Sequence, residues 1–188
     1  MQKIPKTNIK IISSLLESLL VICFTTIIFC LIYKENITNL YVPFSNHGDV
    51  TLTLSHIKTI QEKGWYFKTD RLGAPFSSNF LDYPMADTLF YVLLKIIVVI
   101  CNDPILTLNI YFYFTFITIS LTTYYVLKYF KLKKILCLAG SLLFSFTPYH
   151  IIRGVNHVFL SSYYMVPLIF LICYWIYTKP FDKKKKIF

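Results

Sequence analysis

Lysines in this chain gather in three knots: Lys3, Lys6 and Lys10; Lys128, Lys131, Lys133 and Lys134; and Lys179 with Lys183 to Lys186. Long apolar runs separate the knots, and all four histidines fall in the stretches between them. Cations held beside apolar runs are the mark of the positive-inside bias of membrane proteins. The pattern predicts a polytopic all-α membrane protein with one cytoplasmic face and one chemically equipped opposite face.

Composition supports the bilayer as solvent. The 188 residues are 56% hydrophobic, above the roughly 45–50% of soluble domains, with mean hydropathy +0.58. The net charge of +10 raises nucleic acid as a partner, but the knots hold twelve of the 19 Lys and Arg. No basic patch interleaved with stacking aromatics lies in a polar domain, so nucleic acid is not expected. Cys23, Cys30, Cys101, Cys137 and Cys173 sit in or at the edge of apolar runs without paired spacing. They read as small core hydrophobes rather than a disulfide framework or a zinc site.

About 20 residues cross the hydrocarbon as a helix. Ile11–Tyr33, Ile105–Leu127 and Val158–Thr178 are long enough, and 135–152 joins them if Pro148 merely kinks it. Residues 88–101 would reach only about 21 Å and would place Lys95 in mid-membrane, an expensive position. Four spans with 88–101 lying in the interface keep all three knots cytoplasmic, along with both termini. Five spans with the N-terminus outside also satisfy the charge bias, but require a full crossing by the weak segment. The four-span reading divides the chain into a cytoplasmic tail 1–10, spans 11–33, 105–127, 135–152 and 158–178, an external loop 34–104 and a cytoplasmic loop 128–134. A short external loop 153–157 and a cytoplasmic basic tail 179–188 complete it.

The long external loop is where chemistry is expected. Val50, Leu54, Ile57 and Ile60 recur at helical spacing, so 50–62 reads as an amphipathic helix on the membrane surface, with a second interfacial helix over 88–101. Asp49 opens the first, either as an N-cap or as a catalytic base. Asp49, Thr53 and His56 follow at offsets of four and seven, which puts a carboxylate and an imidazole on one helix face. Asp82 and Asp87 are secondary acidic candidates, although Asp87 also suits the start of the 88–101 helix. Across the bundle, Arg153 offers a planar fork of donors that fits a phosphate, flanked by His150 and His157; contact with lipid headgroups is its plainer role. The histidine spacing fits no ligand pattern, so no metal site is assigned. Glu17 lies inside the first span and reads as an acid reaching toward the cytoplasm.

His47-Gly48-Asp49 at the loop opening, Pro84-Met85-Ala86-Asp87 before an apolar helix, Asn102-Asp103-Pro104, and Pro148-Tyr149-His150 with Arg153 together resemble the beginning of a GT-C class membrane glycosyltransferase. The similar proteins are bacterial lipid-A aminoarabinose transferases, protein O-mannosyltransferases and uncharacterised bacterial membrane proteins of the same build; Leu72–Phe76 and Leu81–Pro84 look closest to the last group. The resemblance spans about residues 11–177. It implies transfer of a sugar from a polyprenyl-phosphate donor to an acceptor on the external face of the cell membrane, in the cell envelope. It also implies that Asp49 is the catalytic acid of the first loop with His56 beside it, and that Arg153, His150 and His157 hold the phosphate. A divalent metal is compatible with such a site and not required by these residues. Membrane lipid and the lipid-linked sugar are the implied partners. Such enzymes carry more spans than this, so a second polypeptide supplying further spans, or an inactive truncated product, are also expectations. Asp49 is followed by Val50 rather than by the second acid often seen. A non-enzymatic transporter subunit or partner-binding scaffold is the alternative, although no inverted repeat of the transporter kind is visible.

Overall fold

The computed structural model describes residues 6–81 and 88–178, with side chains from residue 11 onward. Asp82 and Asp87 lie outside the described residues, as do Lys3 and the knot from Lys179 to Lys186. The architecture is all-α. Its helices are α1 (Lys6–Ile32), α2 (Val50–Lys63), α3 (Thr88–Cys101), α4 (Pro104–Tyr129), α5 (Lys134–Ser145), α6 (Pro148–Arg153), α7 (Val158–Ser161) and α8 (Val166–Thr178). Strands β1 (Lys68–Thr69) and β2 (Ser78–Asn79) form one small antiparallel hairpin, with Lys68 opposite Asn79. The long loop 34–104, in which only helices were expected, therefore also contains a short ladder.

Among the described residues, four stretches are long and apolar enough to cross a membrane: Ile11–Ile32, Pro104–Tyr129, Lys134–Arg153 and Val155–Thr178. They coincide closely with the four expected spans. Two of them are broken. Pro148 does more than kink its span, because α5 stops at Ser145 and a newly capped helix begins. The Thr147 side chain accepts from the His150 amide, and Pro148 occupies the first turn, where its missing N–H costs nothing. The stretch 158–178 is also discontinuous. The Ser161 and Ser162 hydroxyls donate to the carbonyls of Gly154 and Val158 at 2.7 and 2.6 Å, and α8 restarts at Val166 with Pro167 in its first turn. Hydroxyls bonding backward to the main chain offer it an alternative to the helical ladder.

Helix α4 is the hub, in contact with α1, α2, α3, α5 and α8. Asp103 caps its start, accepting from the Leu106 amide at 2.7 Å, and Pro104 follows at the first helical position. Helix α3 spans the expected residues and packs against α2 as well as α4. The core between these elements is aromatic: Phe29, Tyr33, Phe44, Phe112 and Phe116 stack or meet edge to face at 4.7–6.3 Å.

The two ends of the bundle differ chemically. At one, Glu17 of α1 forms ion pairs with Lys128 of α4 and with Lys134 of α5 (2.7 Å), and accepts from the Tyr124 hydroxyl. Tyr125 bonds Ser14 and Ser18 nearby. Glu17 thus joins three helices. At the other end, Asn109 of α4 donates to the carbonyls of Leu40 and Val42, both at 2.8 Å. That side chain supplies the partner which the irregular segment 39–44 cannot find within itself. Gln61 ties the end of α2 to the turn before α4 through Asn102.

Candidate functional site

The segment ahead of α2 lies directly against the connector between α6 and α7. Gly48 makes the approach feasible: its φ is +61°, and a Cβ there would stand 2.8 Å from the Asn156 carbonyl oxygen. Only a residue without a side chain fits both the left-handed backbone and the contact. The next amide, that of Asp49, donates to the same Asn156 oxygen at 2.8 Å. One residue further along each strand of chain, Asp49 Oδ2 meets His157 Nδ1 at 3.0 Å.

Asp49 precedes α2 but its side chain makes no capping bond. Its carboxylate is turned to His157 and remains 59% exposed, against 35% for the imidazole. A carboxylate at Nδ1 favours the tautomer with the proton on that nitrogen, which leaves Nε2 as a lone-pair donor toward solvent. The arrangement can take a proton from a hydroxyl, with the carboxylate stabilising the imidazolium that results.

His56 takes no part in this pair. It is fully buried, with Nδ1 at 3.3 Å from the Tyr91 hydroxyl and its ring edge-on to Phe80 at 4.5 Å. Its Nε2 finds no hydrogen-bond partner among the described residues. Burial lowers its pKa to about 4, so it is neutral at ordinary pH. The shared face expected of Asp49, Thr53 and His56 is real for the last two, both buried. Asp49, at the helix end, swings away to the connector.

The expected phosphate clamp also divides. Arg153 is exposed, its guanidinium 5.7 Å from the Tyr149 ring centroid, and it forms no ion pair among the described residues. It is free to meet an anion. His150 is not: it is fully buried, bonded through Nδ1 to the Ser145 carbonyl at 2.7 Å and through Nε2 to Thr115 at 3.0 Å. Its ring stacks on Phe116 at 3.8 Å. It braces α6 against α4, where no ligand reaches it. Of the three residues expected at the phosphate, Arg153 at the end of α6 and His157 four residues later are the two that keep exposed surface.

Sequence reasoning placed every one of these groups near one surface but paired Asp49 with the wrong histidine. The missed signal is Gly48, whose presence just before an acid marks a close backbone approach. Among the described residues, no group of three His, Cys, Asp or Glu side chains is placed to hold a metal ion.

Comparison with protein-family models, curated proteins and solved structures yields no match. The chemistry must be argued from the residues alone.

Two hollows lie elsewhere on the molecule, and neither is lined by Asp49 or His157. An open cleft of about 560 Å³ runs along the hairpin, lined by Lys63, Trp65, Phe67, Lys68, Asp70 and Ser77. Around it Lys63 bonds Asp70 at 3.0 Å and Arg71 bonds Glu62 at 2.5 Å. Those cations hold the Asp70 and Glu62 carboxyls below their usual range. A smaller apolar pocket of about 190 Å³ lies under the segment 37–44, against Phe29, Asn109 and Tyr113.

Proposed function

We propose that this chain works as a membrane glycosyltransferase module of the GT-C kind, moving a sugar from a polyprenyl-phosphate donor to a hydroxyl acceptor at the end of the bundle that carries Asp49. In this reading the end with Lys128 and Lys134 faces the cytoplasm, in keeping with the positive-inside bias, and the Asp49 end faces outward from the cell membrane. The observation that carries the reading is the bond between Asp49 and His157, with the unpaired Arg153 close by in sequence.

His157 Nε2 takes the proton of the acceptor hydroxyl as that oxygen attacks the sugar's anomeric carbon. The bond from that carbon to the phosphate oxygen breaks, and polyprenyl phosphate leaves with the electron pair. Attack opposite the leaving group inverts the carbon. Asp49 fixes His157 in its proton-accepting tautomer, and Arg153 meets the charge that grows on the phosphate. This differs from the sequence expectation, in which Asp49 itself was the base and His56 its neighbour.

A second reading has one observation in its favour. The Asp49 amide bonds Asn156 beside the side-chain pair, so the two together also suit a clasp in a non-enzymatic scaffold or transporter subunit. Sugar transfer from a polyprenyl-phosphate donor, measured on the purified protein with and without any co-purifying membrane partner, separates the two. His157→Gln and Asp49→Asn are expected to lower turnover by about 10²–10⁴-fold with little change in melting temperature. Variants that melt early, in a protein with no transfer activity, would leave the clasp as the sole role.

A further inference from the structure

Helices α5 and α8 both lean on α4, and an apolar cleft of about 290 Å³ lies between them. Thr123, Leu127 and Phe130 of the α4 side, Phe144 of α5, and Pro167 and Phe170 of α8 line it. The Thr123 hydroxyl, in a side chain 7% exposed, has no hydrogen-bond partner among the described residues. The cleft follows the last two turns of α4, so one end lies at the connector that runs from Phe130 to Lys133.

Four lysines stand on or beside that connector, Lys128 at the end of α4, Lys131 and Lys133 within it and Lys134 at the start of α5, and they have two different fates. Lys128 and Lys134 are engaged with Glu17. Lys131 and Lys133 are exposed and form no ion pair among the described residues. An apolar slot ending at two unengaged cations is complementary to one kind of molecule, an acyl chain bearing an anionic head.

We infer that the α4–α5–α8 cleft binds an acyl chain of an anionic bilayer phospholipid, whose headgroup phosphate rests on Lys131 and Lys133. The site is at the opposite end of the bundle from Asp49 and stands independently of the glycosyltransferase reading.

Trp175 reports on it. Its indole N–H donates to the Tyr129 hydroxyl at 2.7 Å, beside the cleft's lysine end. The chain has two tryptophans, so Trp65→Phe leaves Trp175 as the sole emitter. The full chain carrying that change is reconstituted in phosphatidylcholine vesicles doped with phosphatidylglycerol or phosphatidylcholine brominated on its acyl chains. Brominated phosphatidylglycerol is expected to quench Trp175 at about tenfold lower mole fraction than brominated phosphatidylcholine. Lys131→Gln with Lys133→Gln should abolish the difference, and Val126→Phe, at another residue that lines the cleft, should weaken quenching by both. Equal quenching by the two lipids, or a preference that survives the lysine changes, overturns the inference. So does a cross-linked dimer that excludes both lipids, since a second copy would then occupy the cleft. Native mass spectrometry of the wild-type chain, comparing retained phosphatidylglycerol with that of the lysine variant, gives the same decision if Trp65→Phe fails to fold.

Discussion

Asp49 and His157 stand 108 positions apart in sequence and meet at 3.0 Å, across a contact that Gly48 alone permits. The glycine is as much a part of the pair as either side chain. Gly48→Ala is expected to destabilise the fold by about 1–2 kcal/mol, because the new methyl meets the Asn156 carbonyl in a backbone region unfavourable to alanine. Denaturation of the detergent-solubilised variant measures the loss, and a shift in the His157 imidazole NMR signal would report that the pair has separated.

Removing Glu17 should be costly in spite of its apparent simplicity. Its side chain is 11% exposed and bonded to Lys128 and Lys134, so Glu17→Gln leaves two cations without their partner beside apolar helices. A loss of about 2 kcal/mol is expected. The double variant with Lys128→Gln should recover part of that loss, which a cycle of thermal melts will show.

His56 gives the fold a pH dependence. Its pKa of about 4 in the folded chain lies below the value near 6.5 of the unfolded one. The unfolded state therefore binds more protons between those values, and stability falls as pH drops from about 6.5 to about 4, by on the order of 2 kcal/mol. Among the described residues, the rings of Tyr66, Phe80 and Tyr91 pack against this imidazole. His56→Leu should flatten the profile above pH 4.5 while lowering stability at pH 8 by about 1–3 kcal/mol, since it leaves the buried Tyr91 hydroxyl without its partner. Below pH 4 the exposed carboxylates Glu62 and Asp70 contribute their own decline.

Asn109→Ala should release the segment 39–44. The carbonyls of Leu40 and Val42 lose their donor, at about 1 kcal/mol, since neither residue is buried and water can replace the amide. Hydrogen exchange should rise locally in that segment and leave α4 itself protected.

Sidedness is checked by single cysteines at Ser45 and Lys131, in a background with the native cysteines removed. An impermeant thiol reagent is expected to reach the first from outside the cell and the second only after permeabilisation.

The four apolar stretches and the amphipathic helix over 50–62, which α2 continues by one residue to Lys63, were legible in the sequence. Each depends on residues near one another in the chain: about 20 apolar positions to cross the hydrocarbon, a repeat of 3.6 along α2, a glycine in the left-handed conformation at Gly64 to stop it. Pro148 was legible as a disturbance, but whether it bends or breaks a helix depended on Thr147 and on what α6 packs against.

The histidines were another matter. All four fall between apolar runs, and local sequence treats them alike. Tertiary packing separates them, since His56 and His150 are drawn beneath aromatic rings while His157 stays at the surface beside Asp49. Desolvation of an imidazole and the pairing of a carboxylate depend on which chain segment arrives from far away, and linear spacing carries no record of that arrival. What the string of residues could determine was where the chain is greasy, where it is charged and where it turns. Which polar groups face one another was decided only when α2 and the α6–α7 connector closed over the head of α4.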